Sequence, residues 1–140
     1  MKNEWLKLSV GILSISSALL AAESSPANPP SINPEFLSVL RSGDSQKLRA
    51  ALDHGASAKA TDAAGNTPLM WAAVYGDAAC VKLLLDRGAD VNITNNAGAT
   101  PLMRAATDFE KVRLLLDKGA AANARSALGN TALMLAARPA

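Results

Sequence analysis

The segment TPLMWAAVYGDAACVKLLLDRGADVN at residues 67–92 returns 33 positions later as TPLMRAATDFEKVRLLLDKGAAAN at 100–123, two residues shorter in its middle. Shifted 33 positions back it finds a worn copy, in which Gly43 matches Gly76 and Gly55 matches Gly88. Its opening comes back once more as TALMLAARPA from Thr131. Self-similarity at this period restricts the chain to a stacked array, in which each unit buries its apolar surface against its neighbours.

Each unit follows from its residues. Thr67 supplies a hydroxyl to cap free backbone donors, and Pro68 fills the first helical position, where no N–H is needed. Leu69, Ala72 and Ala73 then share one side of a short helix ending near Tyr75, and Gly76-Asp77 breaks it. A second helix places Cys80, Val81, Leu84 and Leu85 on one face, with Lys82, Asp86 and Arg87 turned away. Gly88 stops that helix, and residues 90–98 read as extended chain and a turn into the next Thr-Pro. Neither helix can bury its apolar face alone, so the units must stack.

These residues resemble the ankyrin repeat, a turn followed by two antiparallel helices with T-P-L-x-x-A-A at a 33-residue spacing. Anchors recur in register at Thr67/Thr100/Thr131, Leu69/Leu102/Leu133, Ala73/Ala106/Ala137, Gly88/Gly119 and Asn92/Asn123. The resemblance implies an all-α fold, an ankyrin-repeat solenoid of helix-turn-helix units joined by β-turn or hairpin loops. Leu69, Leu102 and Leu133 are expected to line one shared hydrophobic spine. In the family a His follows T-P-L and braces neighbouring turns; here Met70, Met103 and Met134 stand there, and are expected to fill the gap by packing.

Residues 1–22 read as a signal peptide: Lys2 and Lys7 precede an apolar run from Leu8 to Leu20, followed by Ala21 and Ala22 at a cleavage site. The run is too short and too rich in serine for a spanning helix. An exported chain, periplasmic or secreted, is expected, with no membrane contact beyond the export signal. Residues 23–33, with Pro26, Pro29, Pro30 and several serines, form a linker that need not pack. The repeat domain covers 34–140: an N-terminal cap repeat at 34–62, repeats at 63–95 and 96–126, and an incomplete repeat at 127–140. Arg41, Lys47 and Arg49 are expected to give the cap its polar outer side. The two residues missing from the third unit fall between its helices, so the turn is expected to tighten or the second helix to start late, with Phe109 plugging the space. The fourth unit encodes one helix only. Its apolar Met134 and Leu135 imply that another segment or a partner covers this end, or that the chain belongs to a longer one. With few well-formed repeats, marginal stability is expected.

Chemistry is sparsely encoded. Cys80 is the single cysteine and falls on a buried helix face, where a packed thiol is expected. His54 is the single histidine and precedes the helix-ending Gly55. No His/Cys cluster has metal-ligand spacing, and no glycine-rich loop after a strand suggests phosphate binding. Asp62, Asp90 and Asp108 lie whole repeats apart and are read as bracing turns. The net charge of +2 falls to +1 once Lys2, Glu4 and Lys7 leave with the signal, and no basic block suggests nucleic acid. Neither catalysis, a cofactor nor a metal is expected.

What remains is a binding surface. The resemblance implies that partners contact the turn tips, here 61–66, 94–99 and 125–130, and the inner helix face. Inner positions that differ between copies are Trp71/Arg104/Leu135, Val74/Thr107 and Tyr75/Asp108. The expected partner-binding residues are therefore Asn66, Trp71, Tyr75, Asn96, Arg104, Asp108 and Arg125, with inter-repeat packing an equal use for Trp71 and Tyr75. The reading is a non-enzymatic protein–protein interaction module, monomeric, with an unidentified protein partner. The alternatives are the N-terminal part of a larger exported enzyme or cytochrome, or a secreted effector or immunity-type inhibitor.

Overall fold

The computed structural model describes residues 30–139; the expected signal peptide and residues 23–29 of the linker lie outside them. Seven helices follow in order among the described residues: α1 Pro34–Ser42, α2 Ser45–Asp53, α3 Pro68–Tyr75, α4 Ala78–Asp86, α5 Pro101–Arg104, α6 Phe109–Asp117 and α7 Ala132–Ala136. They alternate between two layers. The inner layer runs α1–α3–α5–α7, each helix touching the next, and the outer layer runs α2–α4–α6.

The caps repeat with the helices. Asn33, Thr67, Thr100 and Thr131 each accept a backbone N–H from the first turn of an inner helix, while Asp44, Asp77 and Asp108 do the same for the outer ones. A cap of this kind contributes about 1 kcal/mol, so seven of them specify where each short helix begins. The connecting loops pair tip to tip. Asn96 N–H donates to Ala64 O at 3.0 Å, and Ala127 N–H to Ala97 O at 2.9 Å.

The spine forms as the repeat predicts through its first three units. Phe36, Leu40, Leu69, Ala72, Ala73, Leu102 and Ala105 line it from the inner layer, with Leu48, Val81, Leu84 and Leu115 from the outer one. Met70 and Met103 are buried, filling the place of the family's histidine as expected, whereas Met134 at the same position is 52% exposed. The fourth unit departs. Leu133 is 77% exposed although it keeps the register of Leu69 and Leu102, because no outer helix covers α7 among the described residues.

Four further expectations are corrected. Leu83, not assigned to the buried face, is buried while Leu85 is half-buried. The reason is that α4 is enclosed by α2, α3 and α6, and so buries more than one stripe. The two-residue deletion does not delay α6: it shortens the first helix of its unit to four residues, and Asp108 caps α6 where Asp77 caps α4. Phe109 plugs nothing, standing 76% exposed at the first turn of α6. Residues 30–32, the end of the stretch read as linker, pack onto the first unit: Ser31 bridges Thr61, Thr61 N–H donates to Pro30 O, and Ile32 lies against the core.

Candidate functional site

A groove of about 200 Å³ opens on the inner layer between the second and third units, lined by Asn66, Met70, Trp71, Val74, Tyr75 and Arg104. Its floor is an aromatic pair one helical turn apart on α3. Trp71 and Tyr75 stack with ring centroids 5.7 Å apart and planes 17° from parallel. Trp71 is half-buried and packs on the spine, whereas Tyr75 is 49% exposed. The packing use expected of this pair falls to Trp71, while Tyr75 stays accessible on the inner face.

The neighbouring loop holds Trp71 in place. Its indole N–H donates to Asp62 Oδ2 at 3.1 Å, and the same oxygen accepts from Asn66 Nδ2 at 2.9 Å. The other carboxylate oxygen accepts the backbone N–H groups of Ala64 and Asn66. Burial pushes the Asp62 carboxyl up, but the donors from Asn66, Ala64 and Trp71 outweigh it and hold the group below its ordinary value. Asp62 thus stays ionised and fixes loop and indole together. Asn66 extends the network to the third unit, its Oδ1 accepting from Asn95 Nδ2 at 2.8 Å and from Arg104 Nη2 at 3.0 Å.

Sequence reasoning missed one member of this site. Arg41, assigned to the polar outer side of the cap, lies instead over the Trp71 ring, its guanidinium carbon 5.7 Å from the centroid. The repeat register could have found it, since Arg41 falls 33 positions before Val74, which lines the groove.

Of the seven residues expected to bind a partner, the structure brings Asn66, Trp71, Tyr75 and Arg104 together. Asn96 sits on the adjoining tip, where its Nδ2 donates to Ala63 O at 3.3 Å. Arg125 donates from Nη1 to Gly129 O within its own turn. Asp108 is not an inner-helix counterpart of Tyr75: the deletion shifts it to the N-cap of α6, where it pairs with Lys111 at 3.3 Å.

Lys111 itself went unread. Only 6% exposed, it donates from Nζ to Ala73 O at 3.2 Å across the inter-repeat boundary. Cys80 is buried as expected, with burial raising its thiol to about 11. His54 is exposed at the end of α2. Among the described residues no group of His, Cys, Asp or Glu is placed to hold a metal ion, and no helix is long and apolar enough to cross a membrane.

Two helical layers joined by paired tips, with varied side chains exposed on a regular inner face, define a helical repeat protein. A family model for ankyrin repeats in three copies matches residues 18–95 and, overlapping them, 36–126. The chain belongs to the ankyrin-repeat family. Ankyrin repeats are generally protein–protein interaction modules and typically non-enzymatic. No curated protein matches the chain.

Proposed function

We propose that this chain binds a protein partner through the inner-face groove between its second and third units, and that it does so outside the cytoplasm after removal of residues 1–22. The observation that carries the binding surface is the convergence of Asn66, Trp71, Tyr75 and Arg104 on one groove. Tyrosine, tryptophan and arginine are the side chains that dominate interface free energies. Here the Trp71 indole and the Arg104 guanidinium are pre-set by the Asp62–Asn66 network and Tyr75 stacks on the indole, which lowers the ordering cost of association. The module works as a monomer that holds its partner and carries out no chemistry on it. Export is supported by Lys2 and Lys7, the apolar run that follows, and the small residues at its end.

Site-specific photo-cross-linking tests the surface. The variant Tyr75→benzoylphenylalanine should yield a discrete adduct in cell fractions of the source organism, and Lys82→benzoylphenylalanine, on the exposed side of α4, should not. Equal labelling from both positions would contradict the groove. For export, the mature chain should begin at residue 23; an intact N-terminus in a secretion-competent host would remove that part of the reading.

A further inference from the structure

We infer that the groove takes an acidic peptide segment, with partner carboxylates met by Arg41 on one side and by Arg104 on the other of an apolar side chain resting on the Trp71–Tyr75 stack. This deepens the proposed function and rests on the groove being the partner surface. Several cations form no ion pair among the described residues, and of these Arg41 and Arg104 are the two that border the aromatic floor, Arg41 over the Trp71 ring and Arg104 in the groove lining. Arg104 is aimed by one neutral acceptor, Asn66 Oδ1, which leaves most of its fork of donors free.

The nearby acids are occupied or face elsewhere. Asp62 accepts from Ala64, Asn66 and Trp71. Asp77 and Asp108 cap α4 and α6. Glu35, the acid of α1, lines a shallow depression between α1 and α2 instead. Around the exposed aromatic surface the two arginines outnumber the one ionised acid, Asp62, and a carboxylate at either arginine gains charge-assisted hydrogen bonds in a planar fork geometry.

The test screens the immobilised full chain against a phage-displayed random dodecapeptide library. Selected peptides should be enriched in Asp and Glu beside an apolar or aromatic residue. Their affinity should fall by about tenfold or more with Arg41→Gln and with Arg104→Gln, and recover in part with the lysine variants. Circular dichroism confirms that each variant is folded. Peptides that need Tyr75, shown by loss with Tyr75→Ala, but carry no acidic bias or ignore both arginines would overturn this inference and leave the groove standing. Failure to select any peptide that depends on Tyr75 would overturn both. Displacement of the peptides by oligothymidylate or by phosphatidylglycerol vesicles at comparable affinity would reassign the arginines to another class of polyanion and overturn the peptide assignment.

Discussion

Cys80 and Lys111 occupy the same position of consecutive outer helices, and each reaches back one repeat to donate a hydrogen bond to a backbone carbonyl. The thiol of Cys80 donates to Gly43 O at 3.4 Å, and the ammonium of Lys111 to Ala73 O at 3.2 Å. Both contacts tie one unit to the one before it.

Removing the ammonium while keeping the stem tests that tie. Lys111→Met preserves the buried methylenes but leaves the Ala73 carbonyl without its donor and Asp108 without its paired cation. The expected loss is about 1–3 kcal/mol in urea unfolding. Lys82→Met, which removes an exposed pair with Asp86, should leave the midpoint unmoved. Equal effects from the two would show that the buried contact carries no more weight than a surface pair.

The Cys80 thiol, raised by burial to about 11, should be nearly inert while the chain is folded. Alkylation at about pH 8 is expected to run on the order of a hundredfold slower than for a free cysteine, and to reach the free rate in urea. The sign of the linkage follows. The folded state holds this proton more tightly than the unfolded one, so the stabilisation is complete below the ordinary value of 9.0 and is lost as pH climbs to about 11. Native labelling at the free rate would contradict the burial of this thiol.

Asp62 titrates in the opposite sense. Although burial raises it, its hydrogen bonds hold the carboxyl below the ordinary value of 3.8. Its stabilisation is therefore present above that value and lost as pH falls through the lower folded one. In Asp62→Asn the amide faces the donors of Trp71 and Asn66 with a donor of its own. At neutral pH this variant should lose about 1–2 kcal/mol, and the gap from the wild type should close in acid. With Trp5→Phe, Trp71 becomes the sole tryptophan, and its fluorescence reports both changes. A constant gap across the acid range would refute the role given to this carboxylate.

Two glycines separate strain from crowding. Gly43 and Gly119 both hold left-handed backbone, with φ of 67° and 89°. A methyl at Gly119 meets open space, whereas one at Gly43 runs into the Tyr75 carbonyl. Gly119→Ala should cost about 1 kcal/mol from φ alone. Gly43→Ala should cost a further ~1–3 kcal/mol and disturb the groove at Tyr75. Thermal unfolding of the pair distinguishes the contributions, and equal costs would mean that the first two units do not approach as closely as described.

The fold was legible because its signals are local and repeated. Threonine or asparagine before proline sets helix starts, glycine sets the ends, and leucine at a fixed register sets the spine. The site was legible where it rides on that register, at Trp71 and Arg104. The rest depended on neighbours. A lysine reads as a solvent residue, so Lys111 escaped notice until the packing of α4 against α6 showed its slot to be the one Cys80 fills. The two-residue deletion left open which element would shorten; α5 did, and that moved Asp108 from the inner face to a cap and left Phe109 in solvent. Arg41 read as an outer-side charge because a single helix cannot reveal that Trp71 of the next unit lies beneath it.

The central claim is that the inner face over Trp71 is where a partner sits. In the Trp5→Phe chain the Trp71 indole N–H gives a single NMR resonance, fixed by its bond to Asp62. Titration with the protein that cross-links through position 75 should shift that resonance in proportion to occupancy, with the amides of α4 unchanged. A saturated complex in which the indole resonance stays put while the α4 amides move would place the partner on the opposite layer and contradict the account.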